Sequence, residues 1–219
     1  MKHTAAFTPE EYDKKIKQTL PYCEEFYKQI ADVVKCLYTG KVSWLDVGCG
    51  TGKMAKLGSE LADRLVLCDN SSDMLDIAKK RIISSSAEFV LKSAQELKYK
   101  NEFEVVTAVQ VFHYLAADER RNAIGKCCDA LRSNGIFITF ENFAPDTEFG
   151  TELSLKRWMK YQKEHGRTES EVNAHISRYD KDYFPITINE HKKLMRECGF
   201  KVVELLWCSY MQAGLIGVK

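Results

Sequence analysis

Val42-Ser43-Trp44-Leu45-Asp46-Val47-Gly48-Cys49-Gly50-Thr51-Gly52-Lys53 decides how the rest of the chain is read. An apolar run ends in three closely spaced glycines, and a helical pattern over residues 53–61 begins at once. Glycines at such a strand-to-helix turn let the backbone bend tightly and come close to a ligand. In an open parallel sheet that turn lies at the carboxyl edge of the strands, where ligands bind.

Outward from this turn, strands and helices alternate. Residues 64–68 read as a strand, 72–82 as a helix, 87–91 as a short strand and 103–109 as a strongly apolar one. An amphipathic helix follows over 117–131, then a turn at Asn134-Gly135 and a strand over 136–141. The alternation predicts an α/β fold, a Rossmann-like seven-stranded mostly parallel sheet with helices on both faces. Upstream, residues 9–38 read as N-terminal helices, with Thr8 as cap, Pro9 in the first turn and a break at Pro21. Beyond Phe143 the alternation stops. Two charge-rich helical segments, 152–164 and 169–179, form an expected helical cover insertion over residues 148–183, standing above one edge of the sheet. A helix over 189–198 and strands over 200–206 and 210–218 complete one expected domain across residues 1–219.

Composition narrows the function classes. Lys and Arg number 32 against 31 Asp and Glu, a net charge of +1. That balance offers no general field for a nucleic acid or an anionic membrane. No apolar run approaches the roughly 18 residues of a membrane span, and the stretch before Glu10 has no apolar leader, so a cytoplasmic protein is expected. The eight cysteines show no C-x-x-C spacing, so no metal site is expected and the thiols read as reduced, buried small hydrophobes.

Three ligands compete for the glycine turn. A phosphate-binding loop needs a glycine five residues before Gly52 and a hydroxyl residue after the lysine; Val47 and Met54 stand there instead. A dinucleotide turn wants a third glycine one residue later than Gly52. The residues beyond the turn suit S-adenosylmethionine (SAM). Asp69 ends the second strand 19 residues after Gly50, where a carboxylate accepts both hydroxyls of a ribose. Asn70-Ser71-Ser72-Asp73-Met74-Leu75 then brings a thioether one helical turn away, able to cover an adenine face. Asp69 by itself also suits a nicotinamide dinucleotide, and Met74 by itself also suits a core.

Taken in order, these segments resemble the class I SAM-dependent methyltransferases from Trp44 onward. Asp46 to Gly52 is similar to that family's first motif, Asp69 to Leu75 to its acidic loop, and Phe89 to Leu97 to its adenine-binding segment. Phe103 to His113 is similar to the fourth strand and the loop after it. The resemblance implies SAM as cofactor, held by Asp46, Gly48, Cys49, Gly50, Asp69, Asn70, Met74, Ser93, Ala94, Gln95 and Gln110. Ser93 departs from the family, which has an aspartate there for the adenine amino group. A closer similarity, to the carboxy-SAM synthase branch, covers Tyr12 to Pro21 and Gly166, Glu171, His191, Gly199-Phe200, Trp207, Gly214 and Lys219. That branch holds its extra carboxylate with an arginine in the cover, where this chain has Ile176 and, two residues on, Arg178.

Methyl transfer is an in-line displacement, so position matters most and a base only where the acceptor must lose a proton. His113, just past the fourth strand, is the candidate catalytic base, with packing under the cover as the other reading. Arg157, Trp158, Tyr161, Arg178 and Tyr179 of the insertion, with Tyr12, Tyr22 and Tyr114, are candidates to line the acceptor pocket. Methyl transfer to a small-molecule acceptor is expected, with a carboxy-SAM synthase-like SAM-modifying enzyme or a catalytically silent SAM-binding protein as the alternatives, no membrane or nucleic-acid partner, and a homodimer left open. Asp69→Ala is expected to weaken SAM binding without changing the stability of the ligand-free protein.

Overall fold

Side chains alternate along β1 (Val42–Val47), so Leu45 and Val47 enter one apolar core while Val42 and Trp44 enter another on the opposite face. The structure is a computed structural model and describes residues 11–82 and 87–219. Six further strands extend the sheet: β2 (Ala62–Asp69), β3 (Ala87–Leu91), β4 (Phe103–Val109), β5 (Leu131–Asn142), β6 (Val202–Ser209) and β7 (Gln212–Val218). Their order is β3-β2-β1-β4-β5-β7-β6. The pairs among β1 to β5 are parallel, and β7 runs antiparallel to both β5 and β6. The expected seven-stranded mostly parallel sheet is therefore the observed one. The chain builds outward from β1 to β3, then returns to lay β4 on the other side of β1. That reversal opens a crevice at the carboxyl ends of β1 and β4.

The helices are α1 (Tyr12–Thr19), α2 (Cys23–Leu37), α3 (Lys53–Leu61), α4 (Ser72–Arg81), α5 (Ala117–Ala130), α6 (Glu148–Glu164), α7 (Glu169–Ile176) and α8 (Ile188–Glu197). Cys23, Phe26, Ile30 and Val34 recur at helical spacing and seat α2 on the face that also takes Met54, Ala55 and Leu75 of α3 and α4. On the other face Ala123, Ile124 and Cys127 of α5 join Met195 of α8. The break at Pro21 is observed: Leu20 is extended and Tyr22 takes the left-handed conformation. The expected cap Thr8 and first-turn Pro9 lie outside the described residues.

Three local expectations are corrected. α6 starts four residues early, at Glu148, because the Thr147 side chain accepts the Gly150 amide and caps the helix there. Asn134 does take a turn conformation, at φ 63°, yet β5 continues through it. The register jumps from Phe103↔Leu131 to Val105↔Ile136, so the turn is absorbed as a bulge. Not every thiol is buried: all eight are free, but Cys36 and Cys208 are exposed.

The insertion docks chiefly on α1. Trp158 is wholly buried and its Nε1 donates to the Thr19 carbonyl at 2.5 Å. The Tyr161 hydroxyl donates to the Lys17 carbonyl, and Lys15 pairs with Glu171 at 3.0 Å. Trp158→Phe removes that donor and leaves a buried carbonyl without its partner, so a loss of about 1–3 kcal/mol is expected in a denaturant titration.

Candidate active-site cleft and its buried supports

The carboxyl ends of β1, β2 and β4 border a cleft enclosing about 840 Å³, its open mouth included. Gly48 and Gly50 form its floor in left-handed conformations, at φ 67° and 53°. A Cβ on Gly48 would lie 2.4 Å from a methyl of Val111, so only glycine lets the β1 and β4 loops approach this closely. Gly50 has nothing within 4 Å of where its Cβ would stand, so that side of the turn is open.

Asp69 ends β2 with its carboxylate engaged on both oxygens. Oδ2 accepts the Gly50 amide at 2.8 Å and Oδ1 the Ser71 amide at 2.9 Å. The acid thus ties the glycine turn to the turn after β2, which corrects the expectation that removing it would leave stability untouched. Asn70, Met74, Ser93, Ala94 and Gln95 continue the wall. The Ser93 hydroxyl donates to Glu96 at 2.7 Å, leaving its lone pairs to accept from a ligand. Gln110 takes a left-handed backbone at φ 60°, and its amide and its Nε2 both donate to the Phe140 carbonyl, at 2.7 and 3.2 Å. A non-glycine residue held there is strained, and such strain gathers at binding sites.

Asp46 and Cys49 sit behind the floor without lining the cleft. Asp46 is almost wholly buried and accepts from the Thr107 hydroxyl at 2.7 Å, which in turn accepts from Trp44 Nε1 at 2.9 Å. Burial pushes its carboxyl well above the ordinary aspartate range, to about 7; the Thr107 bond opposes the rise and the Asp69 charge adds to it. A raised folded value means stability present below about pH 4 and lost as pH rises through about 7. Asp46→Asn keeps the acceptor for Thr107 without the charge. Its apo form is expected to be more stable than native above pH 7 by on the order of 1 kcal/mol or more. Denaturant titrations should show the gap narrow as pH falls and vanish below about pH 4.

The wall also includes Tyr12 of α1 and Tyr114 of the short turn Phe112–Tyr114. Burial raises both phenols, Tyr114 to about 12; the Arg178 charge pulls Tyr114 back and Glu141 adds to the rise. The cleft wall is otherwise completed by Val47, Lys92, Val109, Val111 and Leu115, which the sequence reading missed. The sequence reading draws Gln110, His113 and Tyr114 from the β4 loop; that Val111 joins the wall depends on its facing Gly48 across the folded sheet.

His113 does not face the cleft. It is 2 % exposed, with Nδ1 2.5 Å from Glu141 Oε2 and Nε2 3.2 Å from the Asn142 amide nitrogen. Gln212 Nε2 donates to Asn142 Oδ1, so the Asn142 amide donates to His113 Nε2 and Nδ1 carries a proton toward Glu141. Both ring nitrogens are engaged inside the protein, and the ring expected as a base is not among the residues of the cleft wall. Four insertion candidates also lie off the wall. Trp158 and Tyr161 bind α1, Arg157 stacks its guanidinium 4.4 Å from the Tyr210 ring centroid, and Tyr179 packs edge-on to Tyr183. Tyr22 is 56 % exposed against Trp207 and Tyr210. Arg178 pairs with Asp182 at 2.7 Å and reaches the site through its charge on Tyr114. The residue at the branch's arginine position, Ile176, packs against the core.

Residues 45–135 match the family model described as a methyltransferase domain. The chain carries a class I SAM-dependent methyltransferase domain. Among curated relatives of this methyltransferase, the carboxy-SAM synthase of Wolinella succinogenes is 24% identical over 90% of this chain and 84% of its own. The carboxy-SAM synthase of Staphylococcus epidermidis is 21% identical over 97% and 94%. In overall type the methyltransferase is thus carboxy-SAM synthase-like. Solved structures share its fold. The methyltransferase in complex with the Haloferax volcanii Trm112 activator superposes with a TM-score of 0.67 at 14% identity, covering 95% of this chain and 94% of that one. A SAM-dependent methyltransferase from Mesorhizobium loti gives 0.61 at 15%, covering 86% and 96%. SAM is accordingly its cofactor or substrate. The cleft fits it: an open turn beside Gly50, a strand-end carboxylate at Asp69 and a polar-apolar wall beyond. Among the described residues no helix is long and apolar enough to cross a membrane, and no cluster of His, Cys, Asp or Glu could hold a metal.

Proposed function

We propose that this methyltransferase acts on a small-molecule acceptor, working by position rather than by proton abstraction. The observation that carries this reading is the cleft wall, to which two half-buried phenols, Tyr12 and Tyr114, contribute and His113 does not. SAM supplies an electrophilic methyl group when bound. Asp69 is proposed to accept its ribose hydroxyls, and Met74, Ser93, Ala94 and Gln95 to frame its adenine. Gly48, Gly50 and Gln110 would border its amino-acid tail, with Asp46 and Cys49 supporting the floor from behind. Tyr12 and Tyr114 keep their protons at neutral pH, so they donate hydrogen bonds and exclude water. An acceptor that is already nucleophilic needs only to be held on the line of attack, at roughly 3 Å.

The near-zero net charge supports a small acceptor over a nucleic acid, and eight free thiols support a reducing, cytoplasmic setting. One domain across the chain is supported by the single sheet that both apolar cores share. Calorimetry tests the cofactor: S-adenosylhomocysteine should bind at micromolar levels while NAD and ATP do not compete. Tighter binding of NAD would end the reading. A radiolabelled-methyl assay across amines, thiols and carbon acids, with light scattering for a homodimer, tests the rest. Among ionisable acceptors, activity confined to acids needing deprotonation at neutral pH would contradict the positional mechanism.

A second reading, synthesis of a carboxylated SAM, is favoured by the relatives' names and by the Arg178 charge acting on Tyr114. Mass spectrometry of SAM recovered after incubation in a cell extract distinguishes it by a carboxylated product.

A further inference from the structure

Two buried charges flank the turn after β4, one on its amides and one on its carbonyls. Glu141 is 1 % exposed and accepts from the amides of Val111, Phe112 and His113 at 3.1, 3.0 and 3.3 Å. It also accepts from the Thr139 hydroxyl at 3.1 Å and from His113 Nδ1. Arg120 is 3 % exposed; its Nε donates to the Phe112 carbonyl at 2.9 Å and its Nη2 to Leu115 at 3.1 Å. The same Nη2 donates to the Phe184 carbonyl, while the Phe184 amide donates to the His113 carbonyl at 2.6 Å. Glu141 and Arg120 make no ion pair with each other at hydrogen-bond distance; the turn lies between them.

The turn is too short to stabilise itself. It is three residues of 3₁₀ helix, whose bonds are poorer than those of an α-helix. Yet Val111, Tyr114 and Leu115 all stand in the cleft wall, and Val111 is the residue that packs on Gly48. Phe184 belongs to the segment after α7, five residues from Tyr179, so the same clamp reaches the neighbourhood of the cover.

We propose that Glu141 and Arg120 are positioning residues that clamp the Val111–Leu115 turn from its two polar sides, present Tyr114 to the cleft, and tie that turn to the Phe184 segment. Arg120 gives these hydrogen bonds to main-chain carbonyls and Glu141 takes three from main-chain amides, so on the turn the clamp acts chiefly on backbone. Its value for binding rests on the SAM reading; the clamp itself does not.

Hydrogen exchange of the ligand-free native protein and of Arg120→Met and Glu141→Gln tests it. In the native protein the amides of Val111, Phe112, His113 and Phe184 should exchange as slowly as those of β4, despite lying in loops. In Arg120→Met the Phe184 amide should exchange at least tenfold faster together with those of the turn, while amides of β1 to β3 stay unchanged. Glu141→Gln should release Val111 to His113 first. Equal acceleration throughout the sheet, or none at the turn, would overturn the proposal. If a variant fails to fold, rapid exchange at those four native amides overturns it alone. A second readout is affinity for S-adenosylhomocysteine by calorimetry. Each variant should weaken it about tenfold, and the double variant no more than the weaker single, because both act on one turn. Multiplying effects would contradict a shared clamp, whereas absence of binding to the native protein would sink the SAM reading and leave the exchange result standing.

Discussion

Asp69→Ala is expected to weaken binding of S-adenosylhomocysteine about a hundredfold or more, and to cost the apo protein about 1–2 kcal/mol. Two charge-assisted hydrogen bonds to a ribose, at roughly 1.5–3 kcal/mol each, set the first figure. The second comes from the Gly50 and Ser71 amides, which lose the acceptor that holds both turns at the cleft floor. Gly50 is part-exposed, so water recovers some of that loss. Asp69→Asn retains one acceptor oxygen and should fall between. Calorimetry measures the affinity and a denaturant titration the stability. An alanine variant that binds as the native protein does would remove Asp69 from the ribose role.

His113→Ala is expected to act on stability. Removing the ring takes from Glu141 its closest partner, although main-chain amides and Thr139 still donate to it, and leaves Asn142 without an acceptor. Each unmade buried bond costs about 1–3 kcal/mol, and the two together roughly 10 °C of melting temperature for a chain of this size. Glu141 sharpens the point. Burial alone would raise its carboxyl, but the hydrogen bonds from His113 and from the Phe112 and Val111 amides outweigh it, so its value lies below the usual glutamate range. Its contribution is therefore present above that range and lost as pH falls through the lowered value. Turnover by the surviving folded fraction should keep its pH profile. Loss of one limb of that profile at unchanged stability would restore His113 as a base.

Much of the cleft was legible in the sequence because it depends on neighbours along the chain. The strand-glycine-helix run over residues 42–61 needs only local backbone geometry, and Asp69 comes from the end of the next strand. His113 was legible as a position but not as an orientation. Its ring turns inward because Glu141, 28 residues later, and Asn142 wait there, and neither carries a local signal. The insertion misled for a related reason. Its aromatic stripe reads equally as a roof or as a docking face, and Thr19 and Lys17, more than a hundred residues earlier, decide for docking. Tyr12 and Tyr114 provide the wall the insertion does not.

The placement of β7 has a consequence for how the protein is made. Among the described residues it follows β6 in sequence, yet it is threaded between β5 and β6, and its register sets Gln212 opposite Asn142. Through Asn142 it completes the support beneath His113 and Glu141. A nascent chain still short of Gln212 has already emerged with its glycine turn, Asp69 and the β4 loop. It nevertheless lacks the neighbour that fixes β5 on its open edge. Capacity to bind should therefore arrive abruptly once residues 212–218 have left the ribosome, rather than with the residues proposed to touch the ligand.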